Sequence, residues 1–240
     1  MTQVIQRIEK KYLLDAKQCT SLLNRIRSYI SEDIYPASSI YNLYLDTERF
    51  DLIHRSMEKP PFKEKLRIRS YEPILSDEAS VFLEIKRKYA ATVCKRRMQL
   101  RYKDCMAFLN KPSLKTGQIE KELSYTLRQY QVQPRIFLAY DRISYVGIQE
   151  PQLRITIDAH IRSRFEQLCL ADNAYNESLF PTDMLLLEIK AVRCYPLWLS
   201  RALSDEKLYP TSFSKVGQVF YKKEKGELLC LRASSIWNRD

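Results

Sequence analysis

Hydrophobic and charged residues alternate in many short segments of the chain, as they do in β-strands that have one apolar and one polar face. Successive side chains of a strand point to opposite faces, so charged residues two positions apart share one face. Leu, Ile, Val or Phe fills much of the other face. The alternation predicts strands over residues 4–14, 39–45, 62–71, 81–89, 93–101, 135–145, 153–161 and 184–192.

The period of the hydrophobic residues changes to a helical one between several of these strands. Leu22, Leu23 and Ile26 predict a helix over residues 16–30, and Asp15 precedes it as a candidate N-cap. We expect further helices after Asp46-Thr47 through residue 55, in two pieces within 102–131, and over 196–208. Residues 1–221 are predicted to form a single domain, and residues 222–240 are a tail without an assignment.

Charged side chains recur at every second position of most predicted strands. Short connections such as residues 90–92 indicate hairpins and antiparallel pairing, and a closed barrel leaves no exposed strand edge. Helices need the apolar strand faces to pack against, so the charged face must point inward. We therefore expect an α+β fold, an eight-stranded antiparallel β-barrel with helices packed on the outside. The charged positions are Arg7, Glu9, Lys11, Lys65, Arg67, Arg69, Glu84, Lys86, Lys88, Lys95, Arg97, Arg154, Asp158, Glu188 and Lys190.

Composition favours an anion as the ligand of this barrel. Lys and Arg number 40 against 29 Asp and Glu, which gives a formal charge of +11. Such an excess can serve solubility alone, but these cations are interleaved with strand residues rather than gathered in tails. Only 4 of the 240 residues are glycine, without a GxxxxGK[ST] or GxGxxG motif, so side chains would have to hold a phosphate. The charged face offers Arg7, Lys65, Lys88, Lys95, Arg97 and Lys190 as phosphate ligands.

Carboxylates on the same face supply the opposite charge. A dry barrel lined only by cations would be unstable because like charges repel strongly at low dielectric. Glu9, Glu84, Asp158 and Glu188 would offset the cations. Their oxygens also suit Mg²⁺ or Mn²⁺, which bridge phosphate oxygens.

Other site classes and targeting signals find little support in the sequence. The six cysteines form no CxxC motif, as is typical of thiols in a reducing cytosol, and the two histidines lie far apart, so a zinc site is not expected. No stretch approaches the ~18 apolar residues of a membrane span, and residues 1–12 are too polar for a signal peptide. We expect a cytoplasmic protein.

Eight short motifs occur in order between residues 7 and 215 and extend over nearly the whole chain. Each alone is weakly specific. They are Arg7-Ile-Glu9-Lys-Lys11-Tyr12, Tyr44-Leu-Asp46-Thr47, Lys65-Leu-Arg67-Ile-Arg69, Leu83-Glu84-Ile-Lys86, Tyr140-Asp-Arg142, Arg154-Ile-Thr-Ile-Asp158, Leu187-Glu188-Ile-Lys190 and Ser212-Phe-Ser-Lys215. With these motifs the chain resembles the VTC domain, the polyphosphate polymerase branch of the triphosphate tunnel metalloenzymes.

The resemblance implies an eight-stranded antiparallel tunnel that binds a nucleoside triphosphate by its phosphates. It also implies a metal-dependent phosphotransferase that moves the γ-phosphate of ATP onto a growing polyphosphate chain and releases ADP. Glu188 is the implied ligand of Mn²⁺ or Mg²⁺, with Glu9 as a second, and Lys95 or Arg97 supplies a further cation. The implied catalytic cations are Lys11, Arg67, Arg69, Lys86, Arg142, Arg154 and Lys215.

One position departs from the hydrolytic relatives. Those with the CYTH signature begin with ExExK, whereas Arg7 stands here in place of the first Glu. The exchange replaces a metal ligand with a phosphate ligand, which favours the polymerase branch and leaves the number of bound metals open. The membrane-spanning and inositol-phosphate-sensing segments of eukaryotic assemblies do not occur in the sequence. We therefore expect a stand-alone domain of the bacterial kind, working alone or beside a separate membrane protein.

Two alternatives to a polymerase stay open. One is a triphosphatase or nucleotide hydrolase in the same tunnel, and the other is a non-catalytic protein that binds polyphosphate or RNA. RNA ranks lowest because its binding usually needs exposed aromatic rings among the cations, whereas the tyrosines here are spread through strands and helices. The expected partners are ATP and inorganic polyphosphate, without nucleic acid, and the oligomeric state stays open.

Overall fold

Strands and helices follow one another along the chain in nearly the predicted order. The computed structural model describes residues 7–90, 92–112, 117–172, 175–181, 183–226 and 228, with only the backbone of Arg7. The strands are β1 (Arg7–Asp15), β2 (Ile30–Asp46), β3 (Phe62–Ser70), β4 (Ser80–Tyr89), β5 (Thr92–Arg101), β6 (Gln133–Gly147), β7 (Arg154–Arg164), β8 (Glu177–Ser178) and β9 (Met184–Val192). The helices are α1 (Ala16–Ile26), α2 (Asp51–Met57), α3 (Tyr102–Asn110), α4 (Gln118–Tyr130), α5 (Leu197–Asp205) and α6 (Lys215–Lys225).

Eight long strands form one antiparallel sheet in the order β1-β9-β7-β6-β2-β3-β4-β5, and the short β8 pairs with β7. The predicted α+β class and antiparallel sheet are confirmed. Closure differs from the prediction: within the described residues β1 pairs only with β9 and β5 only with β4, so the ladder of hydrogen bonds is open. Thr211 covers part of the free edge of β1, where its backbone N–H donates to the carbonyl of Lys11 at 2.7 Å.

The apolar outer face of the sheet packs against four helices, as predicted. Helices α3 and α4 place Cys105 and Leu123 in one core cluster with Leu66 of β3. Helices α1 and α5 cover the other half of the sheet, where Leu22 of α1 shares a second cluster with Ile155 of β7. Burying such a side chain contributes roughly 1.5–3 kcal/mol. This packing orients the strands so that their charged side chains face the other way.

Helix α6 packs on the charged side of the sheet, unlike the predicted arrangement with every helix outside. Its Val216, Val219 and Phe220 share a core cluster with Tyr44 and Leu138. Tyr44 belongs to the charged side because Arg67 donates a hydrogen bond to its hydroxyl. One part of that face is therefore apolar and covered, and the charged side chains are confined to the remainder.

Several boundaries differ from the predicted ones. Strand β2 begins at Ile30, well before the predicted start, and carries an irregularity between Glu32 and Ala37. The Asp15 N-cap is confirmed, since its carboxylate accepts the Gln18 N–H at 2.8 Å. Strand β8 and helix α6 were not predicted, and α6 continues past residue 221 to Lys225. Residue 227 and residues 229–240 of the predicted tail lie outside the described residues.

Among the helices described here, none combines the length and apolar character that crossing a membrane requires.

Candidate functional site

The charged face of the sheet is concave, because strands far apart in the sheet order approach each other across it. The segment before α6 joins the two sides. The ammonium of Lys11 on β1 donates to the Phe213 carbonyl at 3.0 Å, and that of Lys65 on β3 donates to the Ser214 hydroxyl at 2.7 Å. Ser214 is also the N-cap of α6. We call this surface the concave face.

The register of β3, β4 and β5 arranges the concave-face side chains in rows that cross all three strands. Two residues separate one row from the next, so neighbouring rows are ~7 Å apart. In order, they are the end row (Lys63, Lys88, Val93), the lysine row (Lys65, Lys86, Lys95), the arginine row (Arg67, Glu84, Arg97) and the Arg69 row (Arg69, Phe82, Gln99).

The lysine row places like charges directly opposite each other, an arrangement that destabilises a sheet. Burial, followed by the charges of Lys11 and Lys63, lowers the pKa of Lys65 to about 8. Burial also lowers the pKa of Lys86, and the charges of Lys11 and Lys190 act in the same direction. An anion bound across this row would relieve the repulsion and favour the protonated amines.

In the arginine row, a buried carboxylate holds cations from both neighbouring strands. Glu84 accepts Arg67 Nε at 2.8 Å and Arg67 Nη2 at 2.6 Å, and Lys95 Nζ lies 2.6 Å from its other oxygen. Burial tends to raise the pKa of Glu84, but the charges of Arg67 and Arg69 outweigh burial and lower it. The ionised carboxylate therefore fixes the directions of the guanidinium and of the ammonium.

Arg69 is buried and held by neutral groups. Its Nε donates to the amide oxygen of Asn42 at 3.0 Å, and its Nη2 donates to the Tyr140 hydroxyl at 3.3 Å. These contacts orient the guanidinium without neutralising it. A phosphate is the kind of ligand that could supply the missing charge in a forked geometry.

The Tyr44 hydroxyl accepts a hydrogen bond from Arg67 Nη1 at 3.3 Å. Burial raises the pKa of this phenol, but the charges of Arg67 and Lys65 outweigh burial and lower it to about 8. The lowered pKa of Tyr44 shows that the electrostatic potential at its hydroxyl is positive. Its ring also lies under the guanidinium of Arg67, 6.0 Å from ring centroid to Cζ.

Arg142 and Lys215 converge on the fully buried carboxylate of Asp158 from β6 and α6. Arg142 makes a two-pronged contact, Nε to Oδ1 at 2.6 Å and Nη2 to Oδ2 at 2.9 Å. Lys215 Nζ lies 2.5 Å from Oδ2 and 4.5 Å from the ring centroid of Tyr140. Burial tends to raise the pKa of Asp158, but the charges of Lys215 and Arg142 lower it overall. Two cations share one negative charge here.

Glu9 and Glu188 form a cluster with two lysines on β1 and β9. Lys11 Nζ lies 3.7 Å from a carboxylate oxygen of each glutamate. Lys190 is ion-paired with Glu188 and lies 4.0 Å from Glu9. Burial tends to raise the pKa of Glu188, but the charges of Lys190 and Lys11 lower it. Glu188 is therefore ionised at neutral pH, as a metal ligand must be.

These two glutamates fit a Mg²⁺ or Mn²⁺ ion that is bound together with phosphate. Mg²⁺ keeps several waters and is usually bound by one or two carboxylates plus substrate phosphates. No group of three or more His, Cys, Asp or Glu side chains suited to a metal occurs in the described part of the chain. The donor set therefore matches an ion that arrives with its phosphate ligand better than a permanently bound one.

The structure brings most of the predicted site residues together on the concave face. Arg154 lies at its edge, where it is ion-paired with Asp33. Arg97 lies over the ring of Phe82, with 4.8 Å between Cζ and ring centroid. Lys88 is exposed in the end row. The backbone register puts Arg7 opposite Val192, but its side chain is outside the described residues.

Sequence reasoning missed several polar groups of this face. Tyr44 and Tyr140 contribute hydroxyls to the arginines, and Asn42 orients Arg69. Lys63 adds a cation to the end row, and Ser214 holds Lys65. The alternation already contained a signal, because Asn42 and Tyr44 lie two apart on β2 and Tyr140 lies two before Arg142 on β6.

Comparisons with known proteins bear on the family and on the fold. The family profile described as "VTC domain" matches residues 6–220. No curated protein matches the chain. Among solved structures, a Bacillus halodurans protein described as a candidate adenylate cyclase has a TM-score of 0.52 and 15% identity, covering 88% of this chain and 96% of that chain. A Vibrio parahaemolyticus protein with the same description has a TM-score of 0.45 and 12% identity, covering 88% and 96%.

The Mimivirus capping enzyme triphosphatase has a TM-score of 0.34 and 10% identity, covering 83% of this chain and 88% of that chain. The structural likeness to the Bacillus halodurans protein supports the fold, and the family match extends over most of the 240 residues. The chain belongs to the VTC domain family.

Proposed function

We propose that this protein is a metal-dependent polyphosphate polymerase that transfers the γ-phosphate of ATP onto a growing inorganic polyphosphate chain and releases ADP. One observation carries the proposal: adjacent rows of Lys and Arg line the concave face of a VTC domain chain, beside the ionised carboxylate of Glu188. Such a surface suits a ligand with several consecutive phosphates. The fold of a protein described as a candidate adenylate cyclase is consistent with a nucleoside triphosphate as that ligand.

Phosphoryl transfer needs positioning and charge stabilisation more than covalent help from the protein. Arg67 and Arg69 extend from the same strand face and can each present a planar fork to phosphate oxygens. Both are held by neighbours, Arg67 by Glu84 and Arg69 by Asn42, so little conformational entropy is lost when phosphate binds. Lys215 adds a cation from α6.

A divalent ion bound by Glu188 and Glu9 would neutralise charge on the transferring phosphoryl group. The lysines beside these glutamates, Lys11 and Lys190, bind the same carboxylates and would be free to contact phosphate when the ion takes their place. No general base is required, because a phosphate acceptor is already ionised at neutral pH. The chemistry therefore depends on how the chain holds donor and acceptor in line.

Incubation of the purified protein with ATP and Mn²⁺, followed by a sizing gel for polyphosphate and an assay for ADP, tests the proposal. We expect polymer and ADP in proportion, and only traces of free phosphate. Free phosphate without polymer would instead support the hydrolase alternative. Binding of polyphosphate without any consumption of ATP would support a non-catalytic protein. The variant Arg69→Ala serves as the inactive control, since Arg69 is a buried guanidinium of the concave face that Asn42 orients.

A further inference from the structure

Six large apolar side chains are exposed near the end of the sheet where β6 turns into β7. They come from the α1–β2 connection, the irregular part of β2, the last part of β6, the turn after it and the start of α5. Single exposed hydrophobic residues are normal, whereas a concentration of them marks an interaction site. We call these six residues the apolar patch: Tyr29, Ile34, Tyr35, Ile143, Ile148 and Leu197.

Direct contacts join the part of the patch around Tyr29. The Tyr29 ring stacks on Trp198, with 4.6 Å between the ring centroids and 6° between the ring planes. The Tyr29 carbonyl accepts the Ile148 N–H at 2.9 Å. Leu197 directly precedes Trp198 and is the first residue of α5. These side chains of three separate connections therefore lie side by side.

The irregular part of β2 places further apolar side chains at the same end of the sheet. Ile34 and Tyr35 are 85% and 79% exposed. Asp33, directly before them, is ion-paired with Arg154, the first residue of β7 after the turn. Ile143 lies where the regular pairing of β6 with β2 resumes. The ion pair thus ties the exposed residues of β2 to the strand that leaves the β6–β7 turn.

Two exposed arginines flank the patch. Arg201 lies one turn after Leu197 on α5, and Arg27 is the C-cap of α1, two residues before Tyr29. The nearby Arg25 is ion-paired with two carboxylates at the end of α5. Among the residues that the structure describes, no carboxylate lies within ion-pairing distance of Arg27 or Arg201. The patch therefore combines exposed apolar side chains with positive charge that is not neutralised.

An anionic membrane surface matches this combination. Tyr and Trp rings are enriched at the membrane–water interface, aliphatic side chains insert below it, and arginines are attracted to anionic lipids. A second copy of the chain fits less well, because a two-fold interface would bring the unpaired arginines of both copies together. Ile34 and Tyr35 are almost fully exposed, as side chains that insert into lipid are, and do not line a groove for a peptide.

We propose that the apolar patch, together with Arg27 and Arg201, binds the protein to the surface of an anionic phospholipid membrane. Ile148 and Leu197 insert below the head groups, and the ring of Tyr29 lies at their level. The two arginines contact lipid phosphates. This peripheral binding uses another surface than the concave face, so the inference does not rest on the proposed function.

Co-sedimentation with vesicles tests the apolar part of the surface. The vesicles contain phosphatidylcholine alone or an equal mixture with phosphatidylglycerol. Ile148→Ser/Leu197→Ser keeps every charge, and its partition coefficient on the mixed vesicles should fall by about tenfold or more, because two inserted side chains are lost. The matched control Leu75→Ser/Tyr125→Ser removes exposed apolar side chains outside the patch and should bind like the unmodified protein.

The cationic part has its own variant. Arg27→Gln/Arg201→Gln should lower the partition coefficient on the mixed vesicles by about fivefold for each arginine and leave that on phosphatidylcholine unchanged. The control Arg49→Gln/Lys121→Gln removes the same charge from exposed positions outside the patch and should have no such effect.

The fluorescence of Trp198 shows whether the patch itself enters the membrane. The chain has two tryptophans, so Trp198 is the only one left in the variant Trp237→Phe. We expect its emission to shift to shorter wavelength when the mixed vesicles are added.

Equal partition of Ile148→Ser/Leu197→Ser and the unmodified protein would mean that other cationic surfaces bind the lipid, and would overturn the proposal. The same loss in Leu75→Ser/Tyr125→Ser, or binding without a shift of the Trp198 emission, would also overturn it. Absence of binding to the mixed vesicles would favour an acidic protein partner instead. A dimer in sedimentation velocity that Ile148→Ser/Leu197→Ser dissociates would assign the patch to a second copy. Circular dichroism and the melting temperature establish that each variant is folded.

Discussion

Lys65 and Lys86 lie directly opposite each other on β3 and β4, and within the described residues neither ammonium is ion-paired with a carboxylate. The pair is unfavourable in the protein alone because like charges face each other across one row. The apolar outer face, packed under α3 and α4, keeps both strands in this register. The packing of the outer core thus holds Lys65 and Lys86 close together despite their repulsion. An anionic ligand can relieve this repulsion, and the fold therefore favours the binding of phosphate.

Affinity for tripolyphosphate should fall as the pH rises through about 8. The protonated form of Lys65 binds phosphate, and burial with the neighbouring charges lowers its pKa to about 8. Tyr44, whose pKa is also about 8, gains a negative charge in the same interval. Because the folded-state pKa of Lys65 lies below its ordinary value, its unfavourable contribution to stability is present below pH 8 and diminishes as the pH rises. Titration calorimetry across pH 8 measures the affinity.

Two single variants separate the contributions to this pH dependence. Lys65→Met should weaken binding at neutral pH and flatten the profile, because the titrating cation is lost. Tyr44→Phe should keep neutral-pH affinity and remove only the part of the decline that comes from the phenolate. An affinity of the unmodified protein that is constant through pH 8 would contradict the assignment of Lys65 to the binding surface.

Arg67→Ala should lower the rate of ATP-dependent phosphoryl transfer by about 10²–10³-fold, as expected for the loss of a preorganised group that stabilises charge. The fold should survive, because Lys95 remains bound to Glu84. Arg67→Lys should restore only part of the rate, since it returns the charge without the fork. Steady-state rates and melting temperatures are compared with those of Arg101→Ala, which removes an exposed arginine at the end of β5. Equal rates of phosphoryl transfer for Arg67→Ala and Arg101→Ala would show that Arg67 does not belong to the site.

Glu188→Gln should weaken the binding of Mn²⁺ in the presence of tripolyphosphate. An amide is a poorer ligand than the ionised carboxylate, which the charges of Lys190 and Lys11 stabilise despite burial. Electron paramagnetic resonance counts free Mn²⁺ directly and does not depend on turnover. Glu9→Gln should have a smaller effect, because that carboxylate is more exposed and lies farther from Lys190. Glu177→Gln, on the exposed β8, is the control, and a Mn²⁺ affinity as high in Glu188→Gln as in this control would exclude Glu188 as the ligand.

The strand faces could be predicted from sequence because the period of two is visible wherever one face is apolar and the other charged. Lys65, Arg67 and Arg69 alternate with Leu66 and Ile68, and the structure places them accordingly. Helix α6 could not be placed in this way, because its apolar side chains do not indicate which face of the sheet they cover. The same holds for Tyr44 and Tyr140, whose rings belong to the core cluster while their hydroxyls reach the arginines.

That the sheet is open could not be predicted from the sequence either. The alternation and the short hairpin connections predict that strands close together in the sequence pair with each other. The gap between β1 and β5 depends instead on the long-range curvature of the sheet and on the segment around Thr211. The Arg154–Asp33 ion pair has a similar origin. It depends on the irregular part of β2 between Glu32 and Ala37, which carries no recognisable motif.

Asp158→Asn should destabilise the protein by about 3–5 kcal/mol, because it leaves Arg142 and Lys215 without their buried counter-charge. The lowered pKa of Asp158 means that its contribution to stability is present above the ordinary pKa of an aspartate and is lost as the pH falls through the folded-state value. The variant should therefore lose less stability on acidification than the unmodified protein. Asp33→Asn is a matched control, since it breaks a more exposed ion pair with Arg154 worth ~0–1 kcal/mol. Urea denaturation at neutral and acidic pH measures both effects, and similar free energies of unfolding for the two variants would show that Asp158 does not hold the two cations in place.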